Sequence, residues 1–496
     1  MMESYRSYVE KQSRRYPSSL QPLCHFLDDP LADQNICRMG LLEYTPDNLT
    51  PAYRDLDHHT LSSILSGDVI TKESVPCGRI VIIEDLSRDI VQMLGSCLNI
   101  DPLFFASHIG HDGRPESSNV SRALKPEKQS FVSSQYHRAI TLQNWQQSLS
   151  SSTQHFRRTN VNREVVLLPP TDDSKCNALV QHRCSIFMKH NSVGSWLGLV
   201  LVDPSIHNDT LILRQESDLK HLTSTRTPCH LFEGGYEDFL DFDPSFSEGS
   251  SSWPSRRGLF EDLIYYWKAE RPPDFNISKP STLSLTYHST QIIASEWTNC
   301  LAAIDLTIKH HENIVGGLPS QPNHLPALEN SGPDLQQLMI WHRRMRSYIA
   351  QVSQTHHFLT LQEKTPIDVL QTYETITAIL TQLSSTLSNT LIPTAATISQ
   401  VLELKRTESQ AFRVNQLTYL AFGFVPLSFV TGLYGMSDDF APGGENFWQW
   451  FVVAIPLSIF CLWSMESSTR PDGLLRRCQD RVDQRNERLR LLKEKR

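Results

Sequence analysis

"FVPLSFVTGLYGMSDDFAPGGENFWQWFVVAIPLSIFCLWSM", Phe424–Met465, consists of two apolar runs split by a short acidic loop. Followed upstream, the first run is Leu417–Met436, twenty residues without a charge, and the second, Phe447–Met465, is nineteen more. A hydrocarbon layer of ~30 Å takes about twenty helical residues. The plainer alternative is a buried hairpin in a large soluble domain, but core helices seldom stay uncharged for so long. Neither run has the polar face of an amphipathic helix. The sequence therefore predicts two membrane spans.

Flanking charge sets their direction. Lys405, Arg406 and Arg413 precede the first span and Arg470, Arg476 and Arg477 follow the second, whereas Ser437–Asn446 holds no Lys or Arg. The positive-inside rule then puts both termini in the cytosol and the loop, with Asp438, Asp439 and Glu445, on the other side. Trp448, Trp450 and Trp463 sit near the ends of the second span, where indole rings favour the headgroup layer. The tail mixes both signs with a basic excess and reads as a solvated segment under anionic headgroups.

The rest of the 496 residues is globular in character: 39% hydrophobic, 20% charged, with a negative mean hydropathy, so membrane segments are a small share. Of the net charge of -8, residues 466–496 contribute ten Lys/Arg against six Asp/Glu, which leaves the remainder near -12. A body so acidic is a poor nucleic-acid binder. Ten cysteines without a Cys-x-x-Cys pair suggest neither a zinc module nor a disulfide scaffold. The start has no apolar signal core and carries Glu3 and Glu10, so no cleavable address is expected, and the plasma membrane is favoured over an organelle.

Along the chain, "GRIVIIEDL" (Gly78–Leu86) reads as a buried strand, with Ser87 capping a helix that stops at Gly95. Strands are also expected at Glu164–Pro169, Cys184–His190 and Trp196–Pro204, the last two joined as a hairpin. These predict an α/β cytosolic domain with a mixed sheet. Segments 148–160 and 241–257 read as flexible surface insertions, and Asp241 and Asp243 as loop charges. Residues 1–70 show little periodicity. Beyond Ser281 the pattern turns helical. Val369, Tyr373, Ile376, Leu380, Leu383 and Leu387 alternate spacings of four and three, a coiled-coil-like seam, and Pro393 is expected to end or kink that helix. A further helix from Thr394 can run unbroken into the first span, over ~65 Å at ~1.5 Å per residue.

The fold class expected is thus α+β: a cytosolic α/β domain over residues 1–332, a helical stalk region over 333–416, a transmembrane hairpin over 417–465 and a basic tail over 466–496. Histidines 108 and 111 near Asp112, and the pairs at 58/59, 310/311 and 356/357, lack the spacing of a zinc helix or a triad, and no enzyme activity is expected.

"PLSFVTGLYGMS" (Pro426–Ser437), followed by an acidic loop, a second span and a basic end, resembles the CorA-type divalent-metal-ion transporters, whose first span ends in Tyr-Gly-Met-Asn. Ile80–Ile109 resembles more weakly the cytosolic domain of CorA-like proteins of fungi. The resemblance implies a homopentamer in the bilayer, with a cytosolic funnel, a stalk helix continuing into the pore-lining first span, and the seam helix packed beside the stalk. It also implies that the Tyr434, Gly435, Met436, Ser437 turn lies at the pore mouth, with Ser437 in the place of Asn as the candidate metal-facing residue. Mg2+ dehydrates reluctantly, so a wide ring of oxygens accepting from its water shell suits it better than a carboxylate cage.

Helical spacing back from Ser437 puts Gly432 or Thr431, Ser428, Val425, Ala421, Leu417 and Val414 on one stripe, proposed to line the pore and to gate by dewetting near Leu417 and Val414. The alternative is a helix-packing face, with Gly423 and Gly432 allowing close contact. Asp438, Asp439 and Glu445 would concentrate cations at the entrance. No cofactor is expected beyond a transported or regulatory divalent cation, Mg2+ first. Two other readings stay open: a non-conducting, membrane-anchored relative whose cytosolic domain senses ions or binds partners, and a tethered enzyme.

Overall fold

Two strands with continuous apolar centres, Gly78–Glu84 (Ile80–Ile83) and Trp196–Val202, lie side by side in parallel, with Val81 opposite Leu199 and Ile83 opposite Leu201. Every residue of the second is buried. A strand covered on both faces loses the polar alternation of a half-exposed one, which is why both read as continuous hydrophobic runs. The computed structural model describes residues 4–29, 36–45, 50–66, 76–110, 131–143, 155–157, 159–172, 175–190, 195–205, 210–213, 219–221, 224–226, 258–269, 271–273, 275–317, 335–361, 365–434 and 447–469.

In chain order these form α1 (Tyr5–Arg15), α2 (Pro17–Asp28), β1 (Arg38–Tyr44), β2 (Ala52–Leu56), α3 (His58–Ser66), β3 (Gly78–Glu84), α4 (Arg88–Leu98) and α5 (Pro102–Ile109). There follow β4 (Phe131–Gln143), β5 (His155–Arg157), β6 (Arg163–Asp172), β7 (Lys175–His190), β8 (Trp196–Val202), β9 (Thr210–Leu213), β10 (Leu219–His221) and β11 (Ser224–Arg226). The helical half is α6 (Leu259–Ala269), α7 (Thr282–Gly317), α8 (Leu335–Thr360), α9 (Ile367–Thr386), a π-turn (Leu387–Leu391), α10 (Ile392–Tyr434) and α11 (Phe447–Thr469). The chain divides into two compact units, Met1–Ala395 and Ala396–Arg496.

The described strands make one mixed sheet in the order β10-β9-β5-β6-β7-β8-β3-β1-β2, with β4 along β7 and β11 along β4. The sixteen-residue β7 pairs with β4 from Lys175 to Phe187, while its other side passes from β6 to β8, so one long strand splices two parts of the sheet. The expected hairpin of Cys184–His190 with the strand from Trp196 is the β7/β8 pair. On one face Val81, Ile83, Leu199 and Leu201 share a core with Val9, Leu23, Phe26, Leu94, Phe104 and Phe105 of the first five helices. On the other, Gly198 admits Leu285 of α7 so closely that a Cβ there would stand 3.0 Å from it. Residues 1–70, in which little periodicity is legible, supply α1, α2, β1, β2 and α3.

Ser87 caps α4 as expected, its Oγ accepting from the Ile90 N–H at 3.4 Å. Gly95 does not stop the helix. It runs on to Leu98 and ends at Asn99 in the left-handed conformation, φ 51°. Gly95 is there for room: a Cβ would stand 2.4 Å from the Tyr5 ring, whose hydroxyl donates to the Ile100 carbonyl at 2.9 Å. Gly95→Ala is expected to lower stability by ~1–3 kcal/mol of overpacking, less the ~0.5–1 kcal/mol that alanine returns to a helix. A raised denaturation midpoint would show that α1 does not press on α4.

The reading of 148–160 as a surface insertion needs correction at its end. His155–Arg157 is strand β5, and Thr159 and Asn160 are buried. The Asn160 backbone N–H donates to the Asp85 carboxylate and its side-chain amide to the Asp85 carbonyl, both at 3.0 Å, which holds Asp85 at φ 59°. Residues 227–257, including Asp241 and Asp243, lie outside the described residues.

Candidate functional site

The first of the long helices, α7, begins at Thr282, where the periodicity changes. Val369, Tyr373, Ile376, Leu380, Leu383 and Leu387 are all buried, so the seam faces the body. Tyr373 donates from that face to the Thr290 carbonyl of α7 at 2.9 Å. Pro393 does not end the helix. The π-turn at Leu387–Leu391 carries the chain into α10, and Ile367–Leu433 is a single helical run. The seam helix is therefore continuous in sequence with α10 through this turn. A proline ring clashes with the carbonyl four residues back in an α-helix; a wider turn ahead of it relieves the clash.

With 43 residues, α10 is about 65 Å long. It contains a stretch long and apolar enough to cross a membrane, of which 12% is buried within the chain. Phe412, Leu420, Phe424, Phe429 and Leu433 are exposed on several sides of it. So much uncovered apolar surface on a helix is what a bilayer or neighbouring chains would cover. Thr418, Ser428 and Thr431 turn their hydroxyls back to the carbonyls of Val414, Val425 and Leu427 at 2.8–3.0 Å, so each spares its helix an unpaired donor.

Val414, Leu417, Ala421, Val425, Ser428 and Gly432 fall within about 80° of the helix circumference at ~100° per residue, with Thr431 some 40° outside. All seven are exposed. The buried positions of this stretch, Pro426 and Val430, lie on the opposite side. Outside its own helix backbone and chain neighbours, no described atom comes within 4 Å of a Cβ built on Gly423 or Gly432, so neither glycine serves a close contact among the described residues. Tyr434 is the last described residue of α10. Gly435, Met436 and Ser437, with Asp438, Asp439 and Glu445, lie outside the described residues. The second apolar run is helical as α11, with Trp448 and Trp463 exposed; its described apolar core, Trp450–Cys461, is shorter than a span requires.

The body holds a charge cluster that sequence reasoning missed. At the carboxyl end of β8, Asp203 accepts from Arg163 Nε at 2.8 Å and Nη2 at 2.7 Å, and from the Arg183 backbone N–H at 2.6 Å. Arg163 also donates to the His108 and Ile109 carbonyls, and Arg183 to the Ser107 carbonyl, which ties the end of α5 to the sheet. His108 Nδ1 lies 3.1 Å from Ser185 Oγ. Burial pushes the His108 imidazole down to about 3, with Arg163 and Arg183 adding to burial and Asp203 opposing it. The ring is fully buried and held neutral. His111 and Asp112 lie outside the described residues. Among the described residues no group of three or more His, Cys, Asp or Glu is placed to hold a metal ion.

Residues 261–466 match the family model described as "CorA-like Mg2+ transporter protein". The matched stretch starts within α6 and ends within α11, so it takes in every long helix and none of the described strands. Among solved structures the chain is similar to the complete structure of the CorA magnesium transporter from Methanocaldococcus jannaschii, at 14% identity over 87% of this chain and 97% of that one, with a TM-score of 0.31. No curated protein matches.

Proposed function

We propose that this chain is a membrane transporter or channel for divalent cations, Mg2+ foremost, that works as a homopentamer with α10 lining the pore. The observation that carries the reading is the exposed apolar α10 lying inside the stretch that matches the CorA-like Mg2+ transporter model. One such helix encloses no pathway, so several copies must surround it. In this reading Leu417–Met436 and Phe447–Met465 both span the bilayer with the termini in the cytosol. The Tyr434–Ser437 turn forms the outer mouth, and Ser437 presents its hydroxyl to the ion's water shell. Asp438, Asp439 and Glu445 concentrate cations there. The stripe from Val414 to Gly432 faces the ion. The membrane potential supplies the work, ~2.3 kcal/mol per elementary charge per 100 mV.

The test is flux in liposomes that hold a Mg2+-sensitive dye. The natural chain is expected to admit Mg2+, and Gly435→Ala to reduce the rate about tenfold or more by crowding the mouth. No flux from the natural chain, with flux restored by Ser437→Asn, would instead establish a non-conducting relative.

A further inference from the structure

The π-turn holds a surplus residue. After Leu383 the buried seam runs Leu387, Leu391, Ala395, in three successive steps of four. In an α-helix each such step walks about 40° around the axis, so Ala395 would stand about a third of a turn away from the seam. All three are nevertheless buried, at 0%, 3% and 0% exposure. The structure resolves the mismatch by closing the turn with the Ile392 N–H on the Leu387 carbonyl, five residues back. Pro393 has no N–H to return to the Asn389 carbonyl in an ordinary helix. Around it, Ser385, Thr386, Ser388 and Thr394 bond their hydroxyls to carbonyls three or four residues back, which weakens the α-helical alternative only locally.

We propose that Leu387–Leu391 is a register switch for α10. This rests on the reading of α10 as the pore helix. When the π-turn relaxes to α, each residue beyond it turns by about 100° and advances by about 1.5 Å. Every azimuth is then taken by the residue one earlier: Leu420 takes the place of Ala421, Phe424 that of Val425, and Leu427 that of Ser428. Over this middle of the span the stripe of the π-register (Ala421, Val425, Ser428) is small-sided and that of the α-register (Leu420, Phe424, Leu427) bulky and apolar, while toward the cytosolic end Leu417 and Val414 give way to Gln416 and Arg413. The first passes hydrated ions; the second closes the path.

Deletion of Asn389 removes the surplus, changes the seam step from four to three, and locks the small-sided register in plain α-helix. Pro393→Ala removes the ring clash, supplies the missing N–H and favours the bulky register. In the full chain in liposomes, cysteines at 420 and 421 in separate variants are reacted with a thiol reagent and located by mass spectrometry, so native cysteines stay. Ala421→Cys is expected to react severalfold faster than Leu420→Cys in the Asn389 deletion, and the order to reverse with Pro393→Ala. Mg2+ flux should rise severalfold in the deletion and fall in Pro393→Ala. If the deletion misfolds, the Pro393→Ala labelling order alone decides. An order unchanged by the variants overturns the switch. Reversal of labelling without flux from any form keeps the switch and overturns the pore.

Discussion

Asp203→Ala is expected to cost the body about 3–5 kcal/mol, the loss typical when one partner of a buried ion pair is removed. Arg163 and Asp203 are 2% and 3% exposed, and their contact is a two-pronged one in which Nε and Nη2 of the guanidinium each meet one carboxylate oxygen. Without the carboxylate, a guanidinium that water cannot reach keeps its charge. The Arg183 N–H loses its acceptor in the same stroke. The consequence reaches beyond one pair, because Asp203 joins β6, β7 and β8 to the end of α5. Asp203→Asn, which keeps one acceptor oxygen, should lose less. The control is Asp305→Ala: its 2.6 Å pair with Lys309 lies on the surface of α7, and no measurable change is expected. Denaturation of the full chain in detergent, followed by tryptophan fluorescence, reads all three. A midpoint for Asp203→Ala equal to that of Asp305→Ala would refute the assignment.

Stability is expected to fall as pH drops from 7 to 5. Burial holds both His108 and His137 down at about 3 in the folded chain; for His137, Arg344 and Arg183 add to burial. The His137 ring lies against Tyr348, with centroids 4.6 Å apart, and Trp297. In the unfolded chain both return to ~6.5. Between those values the unfolded state binds the extra protons, so the stabilisation is present above about pH 6.5 and is lost as pH falls toward 3. The slope approaches about 1.4 kcal/mol per pH unit for each ring below pH 6.5, which comes to about 3 kcal/mol for the pair between pH 6.5 and 5. Most carboxylates titrate below this window, which isolates the histidines. His137→Gln should lose about half the slope. Denaturation midpoints that stay level from pH 7 to 5 would show that neither ring is sealed from water.

These two effects arise from residues to which a linear reading assigns no role, whereas other parts were plain in the chain. The runs of β3 and β8, the Ser87 cap, the β7/β8 hairpin and the seam from Val369 to Leu387 are periodic or local signals, each complete within about twenty residues. So is the absence of charge from Leu417 to Met436. Gly95 and Pro393 were misread for a common reason. Each is a strong local breaker that the surroundings overrule, one by the Tyr5 ring that occupies its missing side chain, the other by a turn that widens ahead of it. The first seventy residues hid their strands because β1 and β2 are edge-side elements whose apolar positions acquire meaning only beside β3.

The order of amino acids by itself determined the runs of β3 and β8, the apolar seam of α9, and that two stretches near the C-terminal end are uncharged over about twenty residues each. Tertiary structure alone decided which distant charges meet, since Arg163 and Asp203 are forty residues apart and touch through the sheet order. It decided also how a seam with one residue too many stays on its face. Periodicity is written along the chain, but pairing energy depends on distances across it, and those exist only after the strands have chosen their neighbours.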